Sequence, residues 1–329
     1  MSTYKRILSA LITLCLLALP FTAALAEDAA KTTVRIGSLK GPTTMGVVKL
    51  MQDNEAGETA NDYQFTVEAT ADAIAPLLLR GELDIALVPC NLASVLYAKS
   101  EGGVQVAAIN TLGVLYVLEA GEEIQSVADL AGKTIYSTGK GNTPEMALNY
   151  VLKGNGLDPE TDVNVEFKSE AAEVASAMLA DAATVAVLPQ PFVTAVLKQN
   201  ENVRVALSLT EEWDKVSDGS ALITGVAVVR KAFAEENPEA VKAFLEEYAA
   251  STEYVNAHPD EAAQWIVELE IVAAAPIAQA AIPACNIVCI TGEEMIQKIS
   301  GYLQALYDQN PESVGGAVPD EAFYFAPQA

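Results

Sequence analysis

Histidine is nearly missing from this sequence, with His258 the single example in 329 residues. A Ser-His-Asp triad therefore has no candidate base outside a helical tail, and no Gly-x-Ser-x-Gly elbow occurs. A zinc or iron site would have to be built from carboxylates and thiols alone, so no metal and no cofactor are expected. Basic residues are scarce too, 19 against 44 acidic, for a formal charge of −25. Such a surface repels nucleic acid and anionic lipid headgroups. Aromatic residues make up 6% of the chain, and no apolar run beyond residue 19 is long enough to span a bilayer.

What is present begins with a leader. Lys5 and Arg6 precede the apolar run Ile7 to Leu19, then Pro20, and Ala24-Leu25-Ala26 precedes Glu27. This is the pattern of a cleavable secretory signal over residues 1–26. Cys15 offers an alternative lipid anchor, but Thr13-Leu14 stands where small residues belong. Cleavage removes Lys5 and Arg6 and no acidic residue, which moves the charge from −25 to −27. Cys90, Cys285 and Cys289 remain, so at most one internal bridge can form. If the run from Cys285 to Cys289 is extended, its two thiols stand ~13 Å apart and cannot pair with each other. A Cys90–Cys285 bridge and three free thiols both stay open.

The roughly 300 residues that remain suit two lobes with separate cores. The sequence carries an internal repeat at an offset of one hundred: 71–96 aligns with 170–197, placing Leu79 on Leu179, Ala86 on Ala186 and Pro89 on Pro189. Each copy reads as a helix, a buried strand ending in Pro, and a second helix. Strands are expected at 34–39, 63–69, 83–88, 104–110, 133–138, 163–167, 184–188 and 203–209. Helices are expected at 44–55, 72–80, 143–153 and 170–181, followed by a helix-rich tail. The alternation predicts a doubly wound α/β fold, in which ligands gather beyond the carboxyl ends of the strands.

Several loops at such ends offer donors. Gly41-Pro42-Thr43-Thr44-Met45 closes a strand and opens a helix, though Val47 and Val48 stand where a phosphate loop needs Lys and Ser or Thr. It is either a ligand wall or a capped turn. Asn91 either faces a cleft or caps its helix, and Asn110 and Thr111 carry the same ambiguity. Gly139, Lys140, Gly141, Asn142 and Thr143 form a loop able to cradle an anion, while Pro144 removes the third glycine of a dinucleotide fingerprint. Gln190 follows Pro189 as Cys90 and Asn91 follow Pro89, and Asn286 returns near the same end. Thr44 and Asn142 are expected to face each other. Lys140 favours a small anion, whereas Tyr97, Tyr116, Tyr136, Phe192 and Trp213 allow a polar heteroaromatic ring.

The segment IQSVADLAGKTIYSTGKGNTPEMALNYVLKGNGLDPETDVNVEF (124–167), the units ending at Pro89 and Pro189, and GVAVVRKAFAEENPEAVKAF (225–244) resemble periplasmic solute-binding proteins. They are most similar to the branch that binds nitrate, sulfonates, taurine and thiamine pyrimidines. The resemblance implies a type II-like clamp: residues 34–114 and 227–325 form lobe one, and 115–226 form lobe two. It places hinge crossings at Gly113–Glu119 and Leu222–Arg230. It also implies a monomeric, exported receptor that holds a small molecule and docks on an ABC permease in the membrane. Two alternatives share the fold: an enzyme of pyrimidine or menaquinone-precursor metabolism, and a ligand-loaded sensor subunit. Mass spectrometry of the exported protein is expected to find Glu27 at its N-terminus; a lipid-modified Cys15 there would overturn that reading.

Overall fold

The computed structural model describes residues 31–180 and 184–326. The expected leader, with Cys15 and the Ala26 cleavage position, lies outside them. The chain first lays down β1 (Thr33–Leu39), the one-turn α1 (Pro42–Met45), α2 (Val48–Glu55), β2 (Asp62–Glu68), α3 (Ala71–Leu79), β3 (Ile85–Pro89), α4 (Cys90–Lys99) and β4 (Val104–Leu112). It continues with β5 (Leu115–Ala120), β6 (Thr134–Ser137), α5 (Thr143–Gly154), β7 (Asn164–Phe167), α6 (Ala171–Leu179), β8 (Val185–Pro189), α7 (Phe192–Gln199), β9 (Val203–Ser208) and α8 (Leu209–Val216). The remainder comprises β10 (Ile223–Arg230), α9 (Lys231–Glu236), α10 (Pro238–Ala257), α11 (Pro259–Glu268), α12 (Ala275–Ala281), β11 (Ile287–Ile290) and α13 (Gly292–Gln309). No helix among the described residues is long and apolar enough to cross a membrane.

Two sheets result, ordered β11-β4-β10-β3-β1-β2 and β7-β6-β8-β5-β9. Apart from β11 they have the same plan: β2, β1 and β3 match β7, β6 and β8, and β10 and β4 match β5 and β9. The repeat at one hundred residues is therefore structural, with α3 over Ala71–Leu79 matching α6 over Ala171–Leu179. β3 and β8, reading IALVP and VAVLP, are each buried at four consecutive positions, as continuous apolar runs between two helical layers require. Alternate residues feed opposite cores. Ala86, Val88, Val226 and Val228 pack on one face of the first sheet, and Ile85, Leu87, Ala227 and Val229 on the other.

The crossings differ from expectation because two strands are antiparallel and central. β5 pairs with β8 and β9 over Leu115–Ala120, so only Gly113 and Val114 remain between the sheets on the outward path. β10 pairs with β3 and β4 up to Arg230, which puts the return on the segment before Ile223 and places the expected boundary at 226 inside a strand. The helix expected at 44–55 is broken at Gly46. Ser251 Oγ donates to Gly46 O at 2.7 Å and accepts from Leu50 N at 3.0 Å, standing where the helical bond between those two groups would be. A Cβ on Gly46 would lie 2.9 Å from Ile287 and 3.0 Å from the Tyr248 hydroxyl, so only glycine allows α10 this close.

The run Cys285 to Cys289 is not extended throughout, since Asn286 takes a left-handed φ of 46° before β11 begins. All three cysteines among the described residues are free. Burial pushes the Cys285 thiol up to about 12 and Cys289 up to about 11, so both stay protonated at neutral pH.

One carboxylate sets the register of the first sheet. Asp84, 2% exposed, accepts from Arg35 Nε at 2.8 Å, from the Arg35 backbone N–H at 3.0 Å and from Arg230 at 2.9 Å, joining β1 and β10 at the start of β3. Burial pushes its carboxyl up, but the hydrogen bonds from Arg35 and Arg230 outweigh burial and hold it below the usual aspartate range. A folded value below the unfolded one gives stability that is present above about pH 4 and is lost as pH falls through the folded value. Asp84→Asn is expected to cost about 2 to 4 kcal/mol at neutral pH, somewhat less than for a fully buried pair because both guanidinium groups keep partial exposure. Urea unfolding at pH 7 and pH 3 checks this: the deficit should shrink at the lower pH, and an equal deficit at both would contradict it.

Candidate functional site

Loops from both sheets border a cavity of about 670 Å³, within the range of small-molecule sites. It lies at the carboxyl ends of β3, β6 and β8, as expected for open α/β sheets. Its floor is apolar: Pro89 and Pro189 end the matched strands, Val114 and Leu115 come from the outward crossing, and Leu92 and Val95 from α4. Thr224, at the start of β10, completes the floor with an Oγ1 that is shielded from solvent and has no protein partner.

Of the residues picked from sequence, Asn91, Gly139, Gly141, Asn142 and Thr143 line this cavity. Asn91 Nδ2 donates to Ser313 O at 3.3 Å, tying α4 to a short 3-10 turn at Pro311–Val314 that forms one wall. The Gly141 N–H, expected as a ligand donor, is taken by the Glu145 carboxylate. In the same way Glu173 takes the Ser169 N–H at 3.0 Å before α6. Both carboxylates sit in the first turn of their own helices, where they satisfy free N–H groups and offset the helix dipole.

The other picks lie elsewhere. Gly41, Pro42, Thr43, Thr44 and Met45 are not on the cavity: Thr43 and Thr44 hydroxyls donate to Leu39 O at 3.1 and 2.5 Å, and Met45 is wholly buried against Ala262 and Ile266. Thr44 and Asn142 therefore do not face each other across it. Asn110 and Thr111 are fully buried in β4, with side-chain polar atoms that have no protein partner. Gln190 Oε1 accepts from the Thr194 hydroxyl at 2.8 Å, a local cap rather than a cavity contact. Asn286 Nδ2 donates to Gly113 O at 2.5 Å and holds the outward crossing. Lys140 is exposed, its ammonium 5.9 Å from the Phe167 ring centroid.

Sequence reasoning missed Asp72, Ser169, Glu170, Thr224, Glu312 and Ser313, all of which border the cavity. The repeat held a signal for part of this set, because Ala71 and Ala171, like Pro89 and Pro189, occupy matched positions and both members of each pair line it. Nothing local marks Glu312 and Ser313, which arrive from the chain's far end. Among the described residues, no lysine, arginine, histidine or aromatic residue lines the cavity. Trp213 is instead wholly buried, stacked on Tyr150 at 3.9 Å and leaning on Tyr302 of α13 at 5.6 Å. No group of three or more His, Cys, Asp or Glu among the described residues could hold a metal ion.

This placement separates two loops that look alike in sequence. Thr44→Ala removes a buried hydroxyl bonded to Leu39 O and is expected to cost about 1 to 2 kcal/mol of stability. Asn142→Ala removes an exposed side chain with no capping bond and should change stability by less than about 0.5 kcal/mol. Thermal unfolding of the two ligand-free variants checks the contrast, and equal midpoints would contradict it.

Comparison with known proteins follows the same architecture. No curated protein matches the sequence. Among solved structures, an ABC transporter protein of Parabacteroides distasonis is 24% identical with a TM-score of 0.77, covering 91% of this chain and 100% of its own. The periplasmic aliphatic sulphonate-binding protein SsuA of Escherichia coli is 16% identical with a TM-score of 0.72, covering 91% and 94%. The periplasmic nitrate-binding protein NrtA of Synechocystis is 14% identical with a TM-score of 0.56, covering 82% and 76%. These likenesses establish a shared two-sheet fold. The NMT1/THI5-like family model matches residues 62–262, more than half of the chain, and the protein belongs to that family.

Proposed function

We propose that the protein is an extracytoplasmic solute receptor that captures a small molecule between two lobes and delivers it to an ABC import permease. The observation that carries this reading is the position of the cavity, bordered by matched elements of two sheets that only two crossings join. The lobes are residues 34–114 with the chain from β10 onward, and 115 to the segment before β10. The family and the solute-binding proteins that share the fold support the same role.

The lining suits binding without chemistry. It offers amide, hydroxyl and carboxylate groups over an apolar floor, and no pair of side chains with the roles of nucleophile and base. A ligand touching both Asn91 and Thr143 gains its full set of contacts only when the lobes approach, so its binding free energy is divided between holding and closing. The outward path is short, and a Cβ on Gly113 would stand 2.2 Å from Thr210 Oγ1 of α8 and 2.8 Å from Leu222, so glycine lets the crossing pass beneath that helix.

A thermal-shift screen of the purified full chain against a metabolite library tests the role. A true ligand at a hundred times its Kd adds about 2.7 kcal/mol, a rise of roughly 4 °C for a chain of this size. Asn142→Trp, which fills the cavity from an exposed position, should abolish the rise. A library without any stabilising compound, or a rise retained in the filled variant, would remove the reading.

A further inference from the structure

We infer that the ligand of this cleft is a cation, a small aliphatic molecule carrying a protonated amine or quaternary ammonium group, and not an oxyanion. The inference rests on the receptor reading above and assigns that site's ligand class. It departs from the structural relatives, whose names record nitrate and sulphonate.

Four features of the cavity point the same way. Every charged residue lining it is acidic: Asp72 at the start of α3, Glu170 before α6, and Glu312 on the 3-10 turn. These three come from separate elements of both lobes, and none is in a salt bridge among the described residues. An anion entering here would meet three like charges without a salt-bridge partner, in a protein whose formal charge is −25.

Lobe two also brings carboxylates to its own helix starts. Oxyanions are commonly held at helix N-termini by free N–H groups. Here Glu145 and Glu173 stand in the first turns of α5 and α6 and bond to the N–H groups of Gly141 and Ser169, which precede those helices, so an oxyanion at either start would meet a carboxylate already there. Lys140 and Lys168, each next in sequence to a lining residue, both lie off the lining: Lys140 is exposed beside the Phe167 ring, and Lys168 pairs with Glu166 at 3.6 Å.

The rest of the lining describes the body of the ligand. Val114, Leu115, Pro89 and Pro189 form an aliphatic floor, and no aromatic ring is present to stack a flat heterocycle. The positive charge must then be met by carboxylates and not by an aromatic cage. Thr224 Oγ1, shielded and without a protein partner, is the polar group in the floor that a ligand hydroxyl or ammonium can satisfy.

Titration calorimetry of the full chain tests the class with two series of matched size. The cations are n-butylammonium, putrescine and choline; the anions are n-butanesulfonate and nitrate. At least one cation should bind, and bind at least about tenfold more tightly than either anion. Each rim carboxylate should contribute about two- to fivefold in Kd. The combined Asp72→Asn, Glu170→Gln and Glu312→Gln variant should therefore weaken the cation about tenfold or more, with the free protein still folded and its melting point lowered by at most a few degrees through the lost helix-dipole contributions. Tighter binding of nitrate or butanesulfonate, lost in Asn142→Trp, would overturn the ligand class and leave the receptor reading intact. Cation binding that survives either the neutralised or the filled variant would overturn the inference, as would silence from both series. The library screen judges the receptor role separately.

Discussion

The architecture depends on β10 being held in the first sheet after the chain has built the second one. Its ladder to β3 and β4 supplies most of the pairing, and Asp84 fixes where along the ladder β10 stops. Arg35 and Arg230 approach this carboxylate from two strands, Arg230 Nε also donates to Leu83 O, and the backbone of Arg230 returns a hydrogen bond to Asp84 O. A slip of one residue would turn every side chain of β10 to the opposite face and move Thr224 off the cavity floor. The second sheet has its own version: Glu119 at the far end of β5 accepts from Arg204 of β9 and from the Ile124 N–H. In each half a buried carboxylate secures an antiparallel strand beside the crossing.

Electrostatics then separate this cleft from its frame. The fold brings several helix starts to one place, and those starts would attract an anion if left bare. Glu145 and Glu173 place carboxylates in the first turns of two of them, while Asp72, Glu170 and Glu312 add charge at the rim. A fold shared with nitrate- and sulphonate-binding proteins thus carries an acidic rim here, because the local field is set by side chains on loops and not by the sheet plan.

The first loop illustrates how packing redirects a motif. Gly41 to Met45 has the composition of a donor wall, yet the threonine hydroxyls turn back to Leu39 O and Met45 enters the core under α11. The close approach of α10 is responsible. Ser251 enters the helical ladder at Gly46, and Tyr248 lies against the same glycine, so the turn is held by the C-terminal half of the chain. Local propensity could not register a contact made two hundred residues away.

Periodicity and punctuation by themselves determined the strands that are buried on both faces, the helices that follow them, and the duplication at one hundred residues. Those features arise from apolar runs, Pro and Gly, all of which act locally. The loop from Gly139 to Thr143 and the position of Asn91 were legible for the same reason, since each lies directly after a strand that the pattern marks. Tertiary structure alone decided that Leu115–Ala120 and Ile223–Arg230 are central strands, that Gly46 breaks a helix, and that Gln190 and Asn286 serve turns. It also decided that Glu312 and Ser313 meet Asp72 and Glu170 around one cavity. Each of these depends on which distant segment supplies a partner, and the free energy of such contacts is not carried by any short stretch of sequence.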